Sequence, residues 1–219
     1  IAVSNKDVNT FSTVNDGDDV GTAAKLGYEN TFVFKSKKDR RLTSSLQYEY
    51  RQKHFEPLEA YRPVEFSRNW NIGNNNNSSN ADSLKQDEHI ALATFNLQIK
   101  SGWKSQYQLS FYRQSNQVYE GLQHLFNNTY TYKGWQLIAN ASYLTSRSTV
   151  YQNSQFLRPN FDFSRSIKKL KNWRIGIKGE QEKNQIWGSS TDSLATKSFY
   201  YNQLSFYSQT PSENNNSLN

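Results

Sequence analysis

The sequence predicts an all-β fold: an antiparallel up-and-down sheet of about nine or ten strands, crossing a membrane as a β-barrel or as part of a larger barrel wall. Three observations predict it. Apolar and polar residues alternate over runs of ten residues or so, the length of a tilted strand spanning a bilayer and longer than the usual soluble strand. A turn-forming residue precedes a tryptophan three times, in Ser101-Gly102-Trp103, Lys133-Gly134-Trp135 and Lys171-Asn172-Trp173. Finally, hydrophobic residues make up 35% of the chain and mean hydropathy is −0.90, yet aromatics reach 15%. A sheet with one apolar, aromatic face and one wet face reconciles those values; disorder does not.

The clearest unit is Phe126–Tyr143. Phe126, Tyr130 and Tyr132 share one parity before the turn, and Trp135, Leu137, Ala139, Ala141 and Tyr143 share the other after it. Strand side chains alternate between faces, so each half is amphipathic. Lys133-Gly134 falls where a two-residue hairpin turn belongs, with glycine free to take positive φ. Because the tryptophans recur at positions 103, 135 and 173, about two strands and a link apart, all three are expected at one end of the sheet. Trp103, Trp135, Trp173, Tyr132 and Tyr143 are therefore the candidate interface girdle, their rings apolar and their N–H or O–H wet.

The chain divides into a polar N-terminal segment (1–22), a β region (23–208) and a polar tail (209–219). Residues 1–14 are expected to hold at most one weak strand, and Asn15-Asp16-Gly17-Asp18-Asp19 is a solvated turn lacking full calcium-loop spacing. Ala24, Leu26, Tyr28, Phe32 and Phe34 then oppose Lys25, Glu29 and Thr31; Leu42, Leu46, Tyr48 and Tyr50 oppose Thr43, Ser45, Gln47, Glu49 and Arg51. Between 55 and 87, Pro57, Pro63 and the tract Gly73–Asn80 mark a long surface loop, with Val64, Phe66, Trp70 and Ile72 alternating as a short strand inside it. Strands resume around Ala91–Ile99 and Trp103–Phe111. After the central hairpin, Ser146–Gln155 reads as a loop, followed by strands around Leu157–Phe163 and Trp173–Glu180. A second polar loop is expected over 181–197, and Tyr200, Leu204 and Phe206 make the last strand. Phe66, Arg68, Trp70 and Trp187 are the candidate recognition residues of the two long loops.

Glu29, Glu49, Arg51, Gln98, Gln106, Gln108, Asn140, Arg158, Asp162, Arg174, Lys178 and Glu180 fall on the polar parity and are expected to line a wet interior. The net charge of +7 concentrates in Lys35–Arg41 and Ile167–Lys171, at strand junctions where basic turns are solvated or meet anionic headgroups. Nucleic acid is not an expected partner, since no helix, zinc spacing or RNP-like motif accompanies the charge. There is no cysteine, hence no disulfide or thiol chemistry. His54, His89 and His124 lie far apart with no metal-ligand spacing, and no Gly-x-Ser-x-Gly elbow or phosphate-binding glycine loop occurs. No catalytic residue, metal or cofactor is assigned.

In its three turn–Trp units and its outward aromatic series from Tyr28 to Phe206, the chain resembles the β-barrel region of Gram-negative outer-membrane proteins. The resemblance is architectural and covers most of residues 23–208. It implies an outer-membrane location, contact with lipid, and further strands or subunits as partners. Such barrels end in an aromatic residue, whereas this chain ends Asn216-Ser217-Leu218-Asn219. With Ile1 first and no methionine anywhere, the expectation is a mature or excised segment of a longer barrel. The expected role is a non-catalytic membrane component whose loops bind partners or cargo, in transport or protein translocation. Two alternatives are a soluble surface protein binding glycans through Trp and Tyr, and a barrel lipid hydrolase using one of the histidines.

Overall fold

The computed structural model describes residues 1–5, 20–34, 40–55, 66, 69–70, 86–99, 102–115, 118–149, 153–168, 173–187 and 198–210. These form one sheet of ten antiparallel strands, each paired with its neighbour in the chain. The strands are β1 (Ala2–Asn5), β2 (Val20–Phe34), β3 (Arg40–Arg51), β4 (Glu88–Ile99), β5 (Trp103–Gln114), β6 (Tyr119–Tyr132), β7 (Trp135–Ser148), β8 (Asn153–Ile167), β9 (Trp173–Trp187) and β10 (Phe199–Gln209). β1 and β10 are the two outer strands, and the sheet is not closed on itself.

Turn chemistry sets the register. Lys133 and Gly134 both take positive φ (47° and 86°), the mirror-image hairpin turn whose twist matches that of the flanking strands. It places Tyr132 opposite Trp135. β2 and β3, β4 and β5, β6 and β7, and β8 and β9 meet at the tryptophan end; β1 and β2, β3 and β4, β5 and β6, β7 and β8, and β9 and β10 meet at the other.

The hairpins are staggered. Trp103 pairs with Tyr130 on β6, while Trp135 pairs with Tyr132, two residues further along that strand. Trp135 in turn pairs with Arg165 on β8, and Trp173 with Ile167, again two further. An advance of two residues for every two strands, at roughly 3.3 Å per residue and 4.8 Å between strands, inclines the strands by about 35° to an axis that holds the tryptophans level. That is the tilt range of β-barrel strands, about 35–45°.

Three expectations about the loops are corrected. Phe66 and Asn69 are helical, with the Trp70 N–H donating to the Phe66 carbonyl at 3.1 Å, so this part of 55–87 is a helical turn and not a strand. Val64 and Ile72 lie outside the described residues. Gln181–Trp187 is not loop but the continuation of β9, paired with β8 and β10. From Gln181 to Gln185 both of its faces are polar, which erases the amphipathic signal while the ladder runs on. The link expected at Ser146–Gln155 shortens to 149–152 for the same reason, as Ser146 and Ser154 pair and share a 2.8 Å hydroxyl contact.

Candidate functional site: an apolar face with two belts and a polar face with a cap

The burial pattern is inverted. The buried polar side chains Glu88, Thr94, Ser110, Gln114, Ser146, Ser154, Ser164 and Asn184 all stand on one face of the sheet, here the polar face. On β2–β10, every exposed large hydrophobic except Val33, Phe199 and Tyr201 stands on the opposite, apolar face. From Leu26 on β2 to Phe206 on β10 every strand contributes large apolar side chains to a band on that face, interrupted by Asn30, Ser44, Ser105, His124, Asn128 and Lys183.

Polar-tipped aromatics bound the band at both ends. Trp103, Trp135, Trp173 and Tyr132 line one end, each 37–49% exposed. Trp135 stacks on Phe163 with centroids 5.0 Å apart, and the Arg165 guanidinium lies 4.7 Å above its ring. Tyr143 lies on the apolar face too, but at the opposite end of β7 from Trp135. Eight residues separate them on β7, roughly 26 Å along the strand and about 22 Å along the inclined axis, against about 25 Å for the apolar band of an outer-membrane barrel. Tyr143 belongs to a second belt that sequence reasoning missed. Toward that end Tyr48 Oη and His89 Nδ1 lie 2.7 Å apart, Gln155 donates to the Tyr143 hydroxyl at 2.7 Å, and the Tyr107 hydroxyl, four residues from Trp103 on β5, reaches up to within 2.8 Å of His124 Nδ1. The signal was there: His124 stood on the apolar parity with no evident partner, and its partner is the cross-strand tyrosine.

All twelve residues expected on the polar parity share the polar face, and the register groups them. Gln106, Asn140 and Glu180 fall in one row that crosses nine strands: Thr31, Thr43, Asn96, Gln106, Asn127, Asn140, Asn160, Glu180 and Gln203. Within it Asn127 donates to Gln106 at 3.1 Å and Asn140 to Asn160 at 2.9 Å. Glu29 and Gln108 share the row of Ser45 and Thr94. Asp162 pairs with Lys178, in the row of Gln98. Lys178 also bridges to Glu180 at 2.6 Å, Arg51 to Glu88 at 2.8 Å, and Arg158 grips Glu182 through two bonds of 2.9 and 3.1 Å. Glu49 stands opposite Lys25, and Arg174 lies beside Ser166 and Gln209 near the tryptophan end.

At the other end the polar face carries an apolar cap. Trp70, Tyr112, Tyr119 and Leu144 form a buried cluster, with Phe66, Ile90 and Phe156 packed against it. Trp70 lies over Gly121, where a Cβ would come within 2.9 Å of its ring, so only glycine admits it. The Tyr119 hydroxyl donates to the Trp70 carbonyl, and Tyr112 donates to Glu88 at 2.9 Å. Phe66 and Trp70 are thus turned inward onto the sheet, which corrects the expectation that they recognise partners from an exposed loop; Arg68 lies outside the described residues. Beneath the turn is a cavity of about 250 Å³ lined by Phe66, Trp70, Gln47, Gln108 and Gln123 among others. Trp187 is the last residue of β9, not a loop residue.

Compared with protein-family models, curated proteins and solved structures, the chain has no match.

Proposed function

We propose that this chain is a section of a transmembrane β-wall: a non-catalytic component of a Gram-negative outer-membrane assembly that anchors its longer links at one membrane surface. One observation carries the reading. Large apolar side chains stand exposed on one face from β2 to β10, while carboxylates, amides and hydroxyls are buried on the other beside an apolar cluster at one end, the reverse of the arrangement along a water-soluble sheet. The span from Trp135 to Tyr143 on β7 supports it, because it matches a hydrocarbon slab and the polar tips at its two ends suit the two interfaces. Strands of 11–15 residues from β2 to β10 are long enough to cross such a slab at a 35° tilt. The segments that join β3 to β4 and β9 to β10, whose strand ends lie opposite the tryptophans, are the ones proposed to engage partners or cargo in transport or translocation.

Vesicle flotation followed by a carbonate wash tests this. The chain, refolded with phosphatidylcholine vesicles, is expected to float and to stay in the pellet at alkaline pH. Recovery in the soluble fraction ends the membrane reading.

A further inference from the structure

The cavity beneath the Phe66–Trp70 turn lies on the polar face, between the cap and the sheet, and measures about 250 Å³. At roughly 30 Å³ per water it holds about eight waters, or one sugar ring with its hydroxyls. Its surfaces differ in chemistry. Phe66 and Trp70 cover it, and Ile90 and Leu92 on β4 continue the apolar surface on the sheet side. Around these stand three amides, Gln47 on β3, Gln108 on β5 and Gln123 on β6. Gln47, Leu92 and Gln123 fall in one row of the sheet. Gln108 donates to the Ser110 hydroxyl at 3.2 Å, whereas among the described residues the Gln47 and Gln123 side chains have no hydrogen-bond partner. Lys25 and Glu49, also in the lining, stand opposite each other, so the two charges there balance.

Those surfaces narrow the guest. An amide both donates and accepts, which suits a hydroxyl group, itself donor and acceptor. A wholly apolar guest would cut half-buried Gln123 off from water with nothing to bond. A phosphate or carboxylate would meet no net positive charge. A sugar ring, with C–H faces and hydroxyl edges, satisfies both surfaces. We propose that this cavity binds one neutral pyranose ring, its C–H face against Trp70 and its hydroxyls on Gln47, Gln108 and Gln123. Trp70 and Gln108, assigned by the sequence to an exposed loop and a wet interior, here face one space. The site depends on the polar face alone and does not require lipid on the other.

Tryptophan emission tests it. Trp103, Trp135, Trp173 and Trp187 stand on the apolar face and Trp70 on the polar one, so a bound ring alters Trp70. The chain, in vesicles or in solution as flotation dictates, is titrated with methyl α-glucopyranoside, methyl α-galactopyranoside and N-acetylglucosamine. Cyclohexanol serves as an apolar guest of the same ring size. A single sugar of about twelve heavy atoms implies a dissociation constant on the order of millimolar. The expected result is a saturating change with at least one sugar, lost in Trp70→Phe. In Gln47→Leu and in Gln123→Leu it should weaken roughly three- to tenfold, the loss of one neutral hydrogen bond each. No saturating response to any of these sugars at about 100 mM overturns the proposal. So does a response that survives in all three variants, or cyclohexanol binding as tightly as the sugars. The leucine variants leave the cap intact and decide the outcome if Trp70→Phe does not fold. Failure to float removes the membrane reading and leaves this site standing, whereas a floating chain that ignores the sugars removes only the site.

Discussion

Trp70 and Trp135 are the same residue put to opposite uses. Trp70 is 5% exposed and lies on the polar face, sealed between Tyr112, Gly121 and the Tyr119 hydroxyl. Trp135 is 37% exposed, on the apolar face, with Phe163 stacked on its ring and Arg165 above it. The first is satisfied by protein; the second is satisfied by whatever meets the apolar face. The contrast teaches that exposure alone does not classify an aromatic residue, and that the surrounding face does. A protein core puts its rings where Trp70 is. A bilayer wall puts most of them where Trp135 is, and keeps a small protein core only at the rim where a link folds back.

The largest expected effect comes from breaking the Trp70 side. Trp70→Ala deletes the centre of the cap and should cost about 3–5 kcal/mol of unfolding free energy, as for large aromatic deletions in a packed core. Trp135→Ala should cost much less in the same denaturant titration in vesicles. Equal losses would mean that both rings are packed by protein, and the comparison would fail.

Next in size is a charge placed on either face of one strand. Ala93, near the middle of the apolar band on β4, stands beside Leu46 and Leu109. Ala93→Arg should reduce folding in vesicles by about 2–4 kcal/mol, the cost of an arginine at a bilayer midplane. Asn96→Arg, three residues on and on the polar face, should be nearly neutral. If the two substitutions behave alike, no hydrocarbon meets the apolar face.

Much of this was legible in the sequence, because strand parity is a local property. The faces, the Lys133-Gly134 turn and the shared end of Trp103, Trp135 and Trp173 follow from alternation and turn chemistry. The failures have one physical origin: parity marks a face but not what covers it. Tyr112, Tyr119, Leu144 and Phe156 are apolar residues on the polar parity, all near the same end of the sheet. Adjacent apolar pairs such as Phe111-Tyr112 and Tyr143-Leu144 were the available sign that something apolar packs there. That its partner is a helical turn at Phe66–Trp70 depends on contacts between residues far apart in the chain. Gln181–Trp187 failed for the complementary reason, being strand without amphipathicity.

A smaller effect tests the turn that sets the register. Gly134 has φ of 86°, and a Cβ there would meet the Ser166 carbonyl oxygen at 3.2 Å. Gly134→Ala should cost about 1–2 kcal/mol, the penalty of an L-residue in the left-handed region. Lys133 occupies that region as well, with φ of 47°. Lys133→Asn restores a favoured turn pair and should shift the unfolding midpoint the other way. Both variants should leave the emission maxima of Trp70 and Trp135 distinct, since the faces are unchanged.

The smallest effect probes the solvent of the polar face directly. Arg158 and Glu182 form a two-bond ion pair on that face, with the guanidinium 3.8 Å above the Phe156 ring, and their side chains are 43% and 22% exposed. In contact with water such a pair contributes about 1 kcal/mol or less and weakens with salt. A double-mutant cycle with Arg158→Met and Glu182→Gln isolates the coupling, methionine keeping most of the contact with Phe156. The coupling should be small and should fade as ionic strength rises. A coupling of several kcal/mol that ignores salt would mean that the polar face is dry. The sheet would then be covered by protein on the side assigned here to water, and Trp70 would mark the edge of a larger core in place of a rim cap.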